Sequence, residues 1–266
     1  YQDLHANPEL SFQERETSGR IARYLKEVGF DVTESVGGYG VVGVLKNGPG
    51  KTVLIRADLD ALPVEEQTDL KYRSKNKGVM HACGHDVHLT NLVYTAKELA
   101  NRRDSWKGTV VVIAQPAEEK GEGAKRMLAD GLFKRFPKPD FALAFHVAHN
   151  VPTGKITYLP GAAMATADSV NITLLGRGGH GAMPQFTIDP ITIAAQFVLD
   201  VQNVVSRERD PNEVSVVSVG SIHCGTKHNV ISDECKLQIT VRSFNEKERK
   251  RIFEGITRKA KAAAQS

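Results

Sequence analysis

Cys83 and His85 stand one residue apart in His81-Ala82-Cys83-Gly84-His85-Asp86, a thiol and an imidazole placed as half of a metal site. The adjacent carboxylates Glu118 and Glu119 follow, and then His146, so that Cys, His, Glu and His arrive at spacings that allow one cluster. Sulfur, nitrogen and oxygen donors in this mixture suit zinc or a neighbouring transition metal. Cys83, His85, Glu119 and His146 supply two negative charges and two imidazoles, enough to begin a pair of divalent sites with Cys83 as the bridge. A lone Cys or His is more often a buried structural residue, and the clustering reverses that reading.

Neighbouring residues at a strand end leave the backbone in different directions. Glu119 can therefore bind metal while Glu118 faces a reacting water, takes its proton as general base and later hands a proton to a leaving nitrogen. A solvated helix start is the alternative for the pair, given Lys120 and Gly121 after it. Asp58 and Asp60, beside Arg56, could orient the ligand histidines from behind. A structural ion pair with Arg56 is an equally good account of one of them.

These residues need elements to hold them. Ser11-Phe12-Gln13-Glu14 reads as a capping box opening a helix in which Ile21, Leu25 and Val28 share a face and Gly29 supplies the stop. Val41 to Leu45 and Thr52 to Arg56 are β-rich runs joined by the turn sequence Asn47-Gly48-Pro49-Gly50, which predicts a hairpin. Helical periodicity over Leu89 to Leu99, a continuous apolar strand at Thr109 to Ala114, a helix over Gly123 to Leu132 and a second buried strand at Phe141 to Phe145 complete an α/β pattern. Asp58 and Asp60, Glu118 and Glu119, and His146 each follow a strand, and open α/β sheets place their sites beyond the carboxyl ends of strands.

From about Asp168 the pattern changes. Ser169 to Leu175 reads as a strand, Ile188 to Ser206 as a long helix, Val214 to Ile222 and Cys235 to Phe244 as strands, and Glu246 to Ala264 as a final helix. That order is a split-βαβ layout lacking its last strand, and it divides the chain into domains at 1–165 and 166–266. A length of 266 residues also favours two domains, and 41% hydrophobic with 25% charged residues is an ordinary globular composition. The net charge of +4 is unremarkable, and the densest basic run, Lys247 to Lys261, carries acids at helical spacing, which predicts a solvated helix face and no nucleic-acid partner.

Three cysteines are too few for a disulfide framework and point to a reducing compartment, the cytoplasm by default. Apolar runs such as Val110 to Ala114 fall far short of the ~20 residues of a membrane helix, so no membrane partner is expected. Tyr1 is not an initiator methionine, so a targeting segment could precede it.

Four segments carry a resemblance: Arg56-Ala57-Asp58-Leu59-Asp60-Ala61-Leu62-Pro63, His81 to Asp86, Gln115-Pro116-Ala117-Glu118-Glu119 and Gly178-Gly179-His180-Gly181-Ala182-Met183-Pro184. Together they resemble the dinuclear metallohydrolase family of aminoacylases, carboxypeptidases and auxin-conjugate hydrolases, over a stretch from His5-Ala6-Asn7-Pro8-Glu9-Leu10-Ser11 to about Phe244. The Cys-Gly-His form is similar to the branch that hydrolyses N-acyl amino acids, hippurate and indole-acetyl amino acids, in which cysteine replaces the bridging acid. The resemblance implies a phosphorylase/hydrolase-like catalytic domain, with a mixed sheet flanked by helices, and an inserted α+β, ferredoxin-like lid that forms a homodimer. It implies two divalent ions, zinc or manganese foremost and cobalt or nickel also suited. It further implies that His180 reaches the partner subunit's active site to stabilise an oxyanion, while Asn229 and Arg242 hold the substrate's amide and carboxylate. A turn asparagine and an exposed strand arginine are the plainer readings of those two.

Family members usually carry proline where this chain has Ser232. The family's last metal-binding histidine lies in a C-terminal return to the catalytic domain, so this chain is expected to be a piece of a longer protein. The implied activity is metal-dependent hydrolysis of the amide of an N-acyl amino acid. A dipeptidase or aminopeptidase on the same scaffold, and a truncated noncatalytic dimerising protein, are the alternatives.

Overall fold

The computed structural model describes residues 1–265; Ser266, the end of the second expected domain, lies outside them. The chain forms two compact units, one spanning Tyr1–Thr153 and the other beginning at Gly154. The first contains α1 (Gln2–Ala6), α2 (Arg15–Glu27), β1 (Asp31–Val36), β2 (Gly40–Asn47), β3 (Thr52–Asp58), α3 (His85–Asn101), β4 (Gly108–Gln115), α4 (Gly123–Ala129), α5 (Leu132–Arg135) and β5 (Phe141–Ala144).

Its mixed sheet has the order β1-β2-β4-β3-β5. β4 runs parallel to β3 and antiparallel to β2, and β5 runs parallel to β3. β4 is central because it is apolar on both faces: Val110, Val112 and Ala114 pack with Ile21, Leu25, Leu89 and Leu92, whereas Val111 and Ile113 face Met127 and Leu132 on the opposite side. Helices therefore cover both faces of the sheet.

That central position overturns the expected hairpin. β2 and β3 each pair with β4 and not with each other, so Asn47-Gly48-Pro49-Gly50 carries the chain across the start of β4. Gly50 makes the crossing feasible, since a Cβ there would lie 2.9 Å from the Gly108 Cα. Local turn chemistry was read correctly as a turn, but burial of a doubly apolar strand decided the pairing.

Three other expectations are corrected. α2 starts at Arg15 with no side-chain cap, and Ser11 and Glu14 are buried and turned into the protein. β5 is not buried: it is the sheet's edge, with Phe141 and Leu143 each 60% exposed. The helix predicted over Gly123 to Leu132 ends at Ala129, because Gly131 adopts φ +84° and starts the short α5.

The second unit contains β6 (Asp168–Leu175), β7 (Gly179–His180), α6 (Pro190–Val201), α7 (Asn203–Ser206), β8 (Ser215–Cys224), β9 (Val230–Ile231), β10 (Glu234–Ser243) and α8 (Glu246–Ala263). The predicted β-α-β-β-α succession is present, with the one long helix broken at Gln202 into α6 and α7. β6, β10 and β8 form an antiparallel sheet in that order, and β7 pairs with β9 as a separate ribbon. Leu237, Ile239 and Val241 alternate into a core shared with Phe197, Val201, Ile252 and Ile256. Asp189 and Asn245 cap α6 and α8 by accepting the Ile191 and Glu248 N–H groups.

Cys224 and Cys235 face each other across β8 and β10, with Cα atoms 4.5 Å apart, and are joined as a disulfide. Cys83 is the free cysteine. The cysteine count therefore no longer argues for a reducing compartment. No helix among the described residues is long and apolar enough to cross a membrane.

Candidate metal centre

The carboxyl ends of the parallel strands β3, β4 and β5 meet the first turn of α3, and all of the first unit's predicted site residues converge there. Gly84, at φ +83°, opens α3; a Cβ on it would come within 2.5 Å of Val147 Cγ2. This close approach lays the Cys83 loop against the loop that carries His146. Cys83 Sγ lies 3.3 Å from His146 Nε2. His85 Nε2 lies 3.8 Å from both Glu118 Oε2 and Glu119 Oε1. Cys83, His85 and His146 form one group whose donor atoms are mutually within 4.8 Å, and His85, Glu118 and Glu119 form another.

The hydrogen bonds behind the histidines select their tautomers. His85 Nδ1 donates to the Asp60 carbonyl at 2.8 Å, and His146 Nδ1 donates to the Val147 carbonyl at 2.7 Å. Each Nε2 is thereby left with its lone pair facing the cluster, the arrangement a metal-binding histidine requires. His85 Nε2 and Glu119 Oε1 are buried with no hydrogen-bond partner among the described residues. Orphaned acceptors of this kind are costly unless a cation or water satisfies them, so the donor set fits a metal.

The electrostatics agree. Burial and the nearby Glu119, Glu118 and Asp58 charges push the Cys83 thiol up to about 12. Burial also raises Glu119, against the opposing pull of His85 and Cys83. A site this rich in anionic donors holds its protons until a divalent cation displaces them.

Asp60 organises the glutamate loop. Its Oδ1 accepts the Glu118 N–H at 3.1 Å, and its Oδ2 accepts the Glu119 N–H at 3.0 Å and the Ser11 hydroxyl at 2.7 Å. The preceding N–H, that of Ala117, goes to Glu14 Oε1 at 2.7 Å, and Ala117 itself sits at φ +46°. Burial works to raise Asp60, but its bonds from His85, Ser11 and the two backbone N–H groups hold it below the ordinary carboxylate range. Asp58 bonds Arg56 through Oδ2 at 2.7 Å and His88 through Oδ1 at 2.6 Å. It thus takes the Arg56 ion pair and a histidine contact together.

Ser11, Glu14 and His88 are further buried polar residues bonded to the site that the residue pattern did not reveal. Ser11 and Glu14 were absorbed into a helix-cap reading. His88 had a usable signal, because it lies three residues after His85 on one helix face. An open cavity of about 340 Å³ adjoins Cys83 and His146 and is also lined by His5, His81 and Asp86. His5 bridges Asp86 at 2.6 Å and Glu66 at 3.2 Å, and burial lowers His81 to about 4.

The remaining predicted residues belong to the second unit. His180 lies in the β7–β9 ribbon, paired with Val230, and Asn229 immediately precedes β9, its carbonyl accepting the Gly181 N–H at 2.8 Å. Arg242 stands on β10, donating to Thr240 Oγ1 at 2.9 Å and to the Val241 carbonyl at 3.0 Å. Ser232, at the position of the usual proline, closes its own turn by donating to the Glu234 carbonyl at 2.9 Å.

Residues 54–265 match the model of the peptidase family M20/M25/M40. This chain belongs to that family. Its M20 relatives include a hippurate hydrolase of Campylobacter jejuni, 44% identical over 99% of this chain and 68% of that protein. They also include thermostable carboxypeptidase 2 of Saccharolobus solfataricus, 43% identical over 96% of this chain and 65% of that protein. A solved M20 structure from Bacillus subtilis, described as a dinuclear metal-binding peptidase, is 37% identical with a TM-score of 0.82, over 99% of this chain and 68% of that one. This M20 chain thus spans about two thirds of the length of the curated relatives it matches. Its mixed α/β first unit and its cluster of metal-ligating side chains accord with membership of that family.

Proposed function

We propose that the protein hydrolyses the amide bond of N-acyl amino acids, of the hippurate, N-acetyl or indole-acetyl type. The carrying observation is the pair of orphaned acceptors, His85 Nε2 and Glu119 Oε1, 3.8 Å apart with Glu118 beside them and the Cys83–His146 pair adjoining. In this reading Cys83, His85, Glu119 and His146 would hold two divalent ions, zinc or manganese. When bound, such ions supply the Lewis acidity that lowers the pKa of water and polarises a carbonyl. Glu118, 40% exposed at the side chain and held by its N–H to Asp60, is free to take the proton of the attacking water and deliver it to the leaving nitrogen. Asp60 and Asp58 keep His85 and the glutamate loop in register.

The second unit acts as the lid and dimerisation domain in this proposal, with residues 1–165 as the catalytic part and 166–266 as the lid. His180 of the partner subunit would donate to the developing oxyanion, while Asn229 and Arg242 would bind the amide and the carboxylate. The pairing of β7 with β9 supports the lid reading, because it holds His180 beside Asn229, the residue just before β9 whose carbonyl accepts the Gly181 N–H.

The test is chelation followed by zinc or manganese add-back, with hippurate and N-acetyl amino acids as substrates and a protein of the relatives' length. Metal-restored cleavage is expected; its absence would end the proposal. The carboxypeptidase named among the relatives keeps a peptidase as the second reading. Comparing acylated with free-amino dipeptides separates the two.

A further inference from the structure

His88 is buried, with 1% of its surface exposed, and the reaction described above does not use it. It lies on α3 one turn beyond His85, and with Asp58 and His85 it forms a third group of mutually close donors. Its hydrogen bonds show that this group is not another metal site. Asp58 Oδ1, 2.6 Å away, takes the Nδ1 proton, and Nε2 accepts the Val147 N–H at 3.1 Å. Both nitrogens are occupied, so neither offers a lone pair to a cation.

We infer that His88 is a positioning residue that holds His146 in ligand geometry by anchoring the backbone of Val147. The inference rests on the metal-centre reading proposed above. His146 needs such an anchor, because it follows the exposed edge strand β5 and lies in a segment with no regular secondary structure. Among the described residues, the Val147–His88 bond is the one backbone hydrogen bond that ties His146–Ala148 to a part of the chain outside residues 145–151. The ring also packs edge-on against His146 and Phe145, with centroids 4.6 and 5.3 Å apart. Asp58 is itself fixed by Arg56, so a line of contacts runs from Arg56 through Asp58 and His88 to Val147. At its end His146 Nε2 faces Cys83 Sγ.

Three variants separate the two bonds. His88→Asn keeps a donor for Asp58 but cannot reach Val147; His88→Gln carries an acceptor as far as Val147; His88→Leu removes both polar atoms at similar volume. Cobalt(II) affinity of the full-length protein, measured by chelator competition, is read together with the thiolate-to-cobalt absorption band and the far-UV circular dichroism. His88→Asn is expected to lose on the order of 10–100-fold in cobalt affinity and to shift the band, with His88→Gln restored to within a few-fold of wild type. Wild-type affinity and an unshifted band in a folded His88→Asn would overturn the inference, whether or not His88→Leu folds. So would equal losses in His88→Asn and His88→Gln. Failure of the wild type itself to take up cobalt would instead remove the metal-centre reading on which the inference rests.

Discussion

Asp60 uses both carboxylate oxygens to hold the two glutamates by their backbone, and Glu14 holds the residue before them. Glu118 can then be changed without moving its own main chain. Glu118→Gln is expected to lower kcat by roughly 10²–10⁴ with metal content unchanged, as measured by turnover of an N-acyl amino acid and metal analysis. An unaltered rate would remove Glu118 from the mechanism. Glu14→Ala leaves the Ala117 N–H buried and unpaired, which should cost about 1–3 kcal/mol in urea denaturation, while Glu14→Gln recovers most of it.

Burial alone would raise Asp58, but His88, Arg56 and His85 outweigh it and hold the carboxyl at about 2, below its unfolded value. Its stabilising contribution, ~2 kcal/mol, is therefore full above about pH 4 and is lost as pH falls toward 2. The stability difference between the metal-free wild type and Asp58→Asn should shrink across that range; a pH-independent difference would contradict the assignment. Cys83, His85, Glu119 and His146 were legible at this scale because donor type and spacing are written in the chain. Ser11, Glu14 and His88 were not, since their roles depend on partners up to 103 residues away.

At the scale of elements, the pattern of apolar residues located the longer helices and most strands but missed α1, β1 and the two-residue β7 and β9, and it did not give every neighbour. β4 reads as an apolar run because both of its faces are covered, and the same fact separates β2 from β3. β5 reads as apolar too, yet it lies at an edge, so composition alone misjudged its burial. The junction between strand ends and α3 depends on Gly84. Gly84→Ala would place a methyl against Val147 at a positive φ, and it is expected to destabilise the fold by about 1–3 kcal/mol while weakening cobalt binding. Thermal unfolding and chelator competition measure the two effects, and a variant with wild-type values in both would show that the loops do not depend on this contact.

At the scale of the molecule, the β-α-β-β-α order of the second unit was visible in sequence, whereas the pairing of Cys224 with Cys235 was not, because cross-strand register decides it. If the partner subunit's His180 completes each site, then mixing His180→Ala with Glu118→Gln protomers should recover part of the activity that each lacks alone; no recovery after subunit exchange would place His180 within its own subunit's site. Central to all three scales is the proposal that Cys83, His85, Glu119 and His146 would hold a pair of divalent ions beyond the ends of β3, β4 and β5. Cobalt(II) titration of the full-length, metal-free protein tests it most directly. The expected result is uptake of two equivalents with a thiolate-to-cobalt band that Cys83→Ser abolishes; a band that survives in Cys83→Ser, or none in the wild type, would contradict the account.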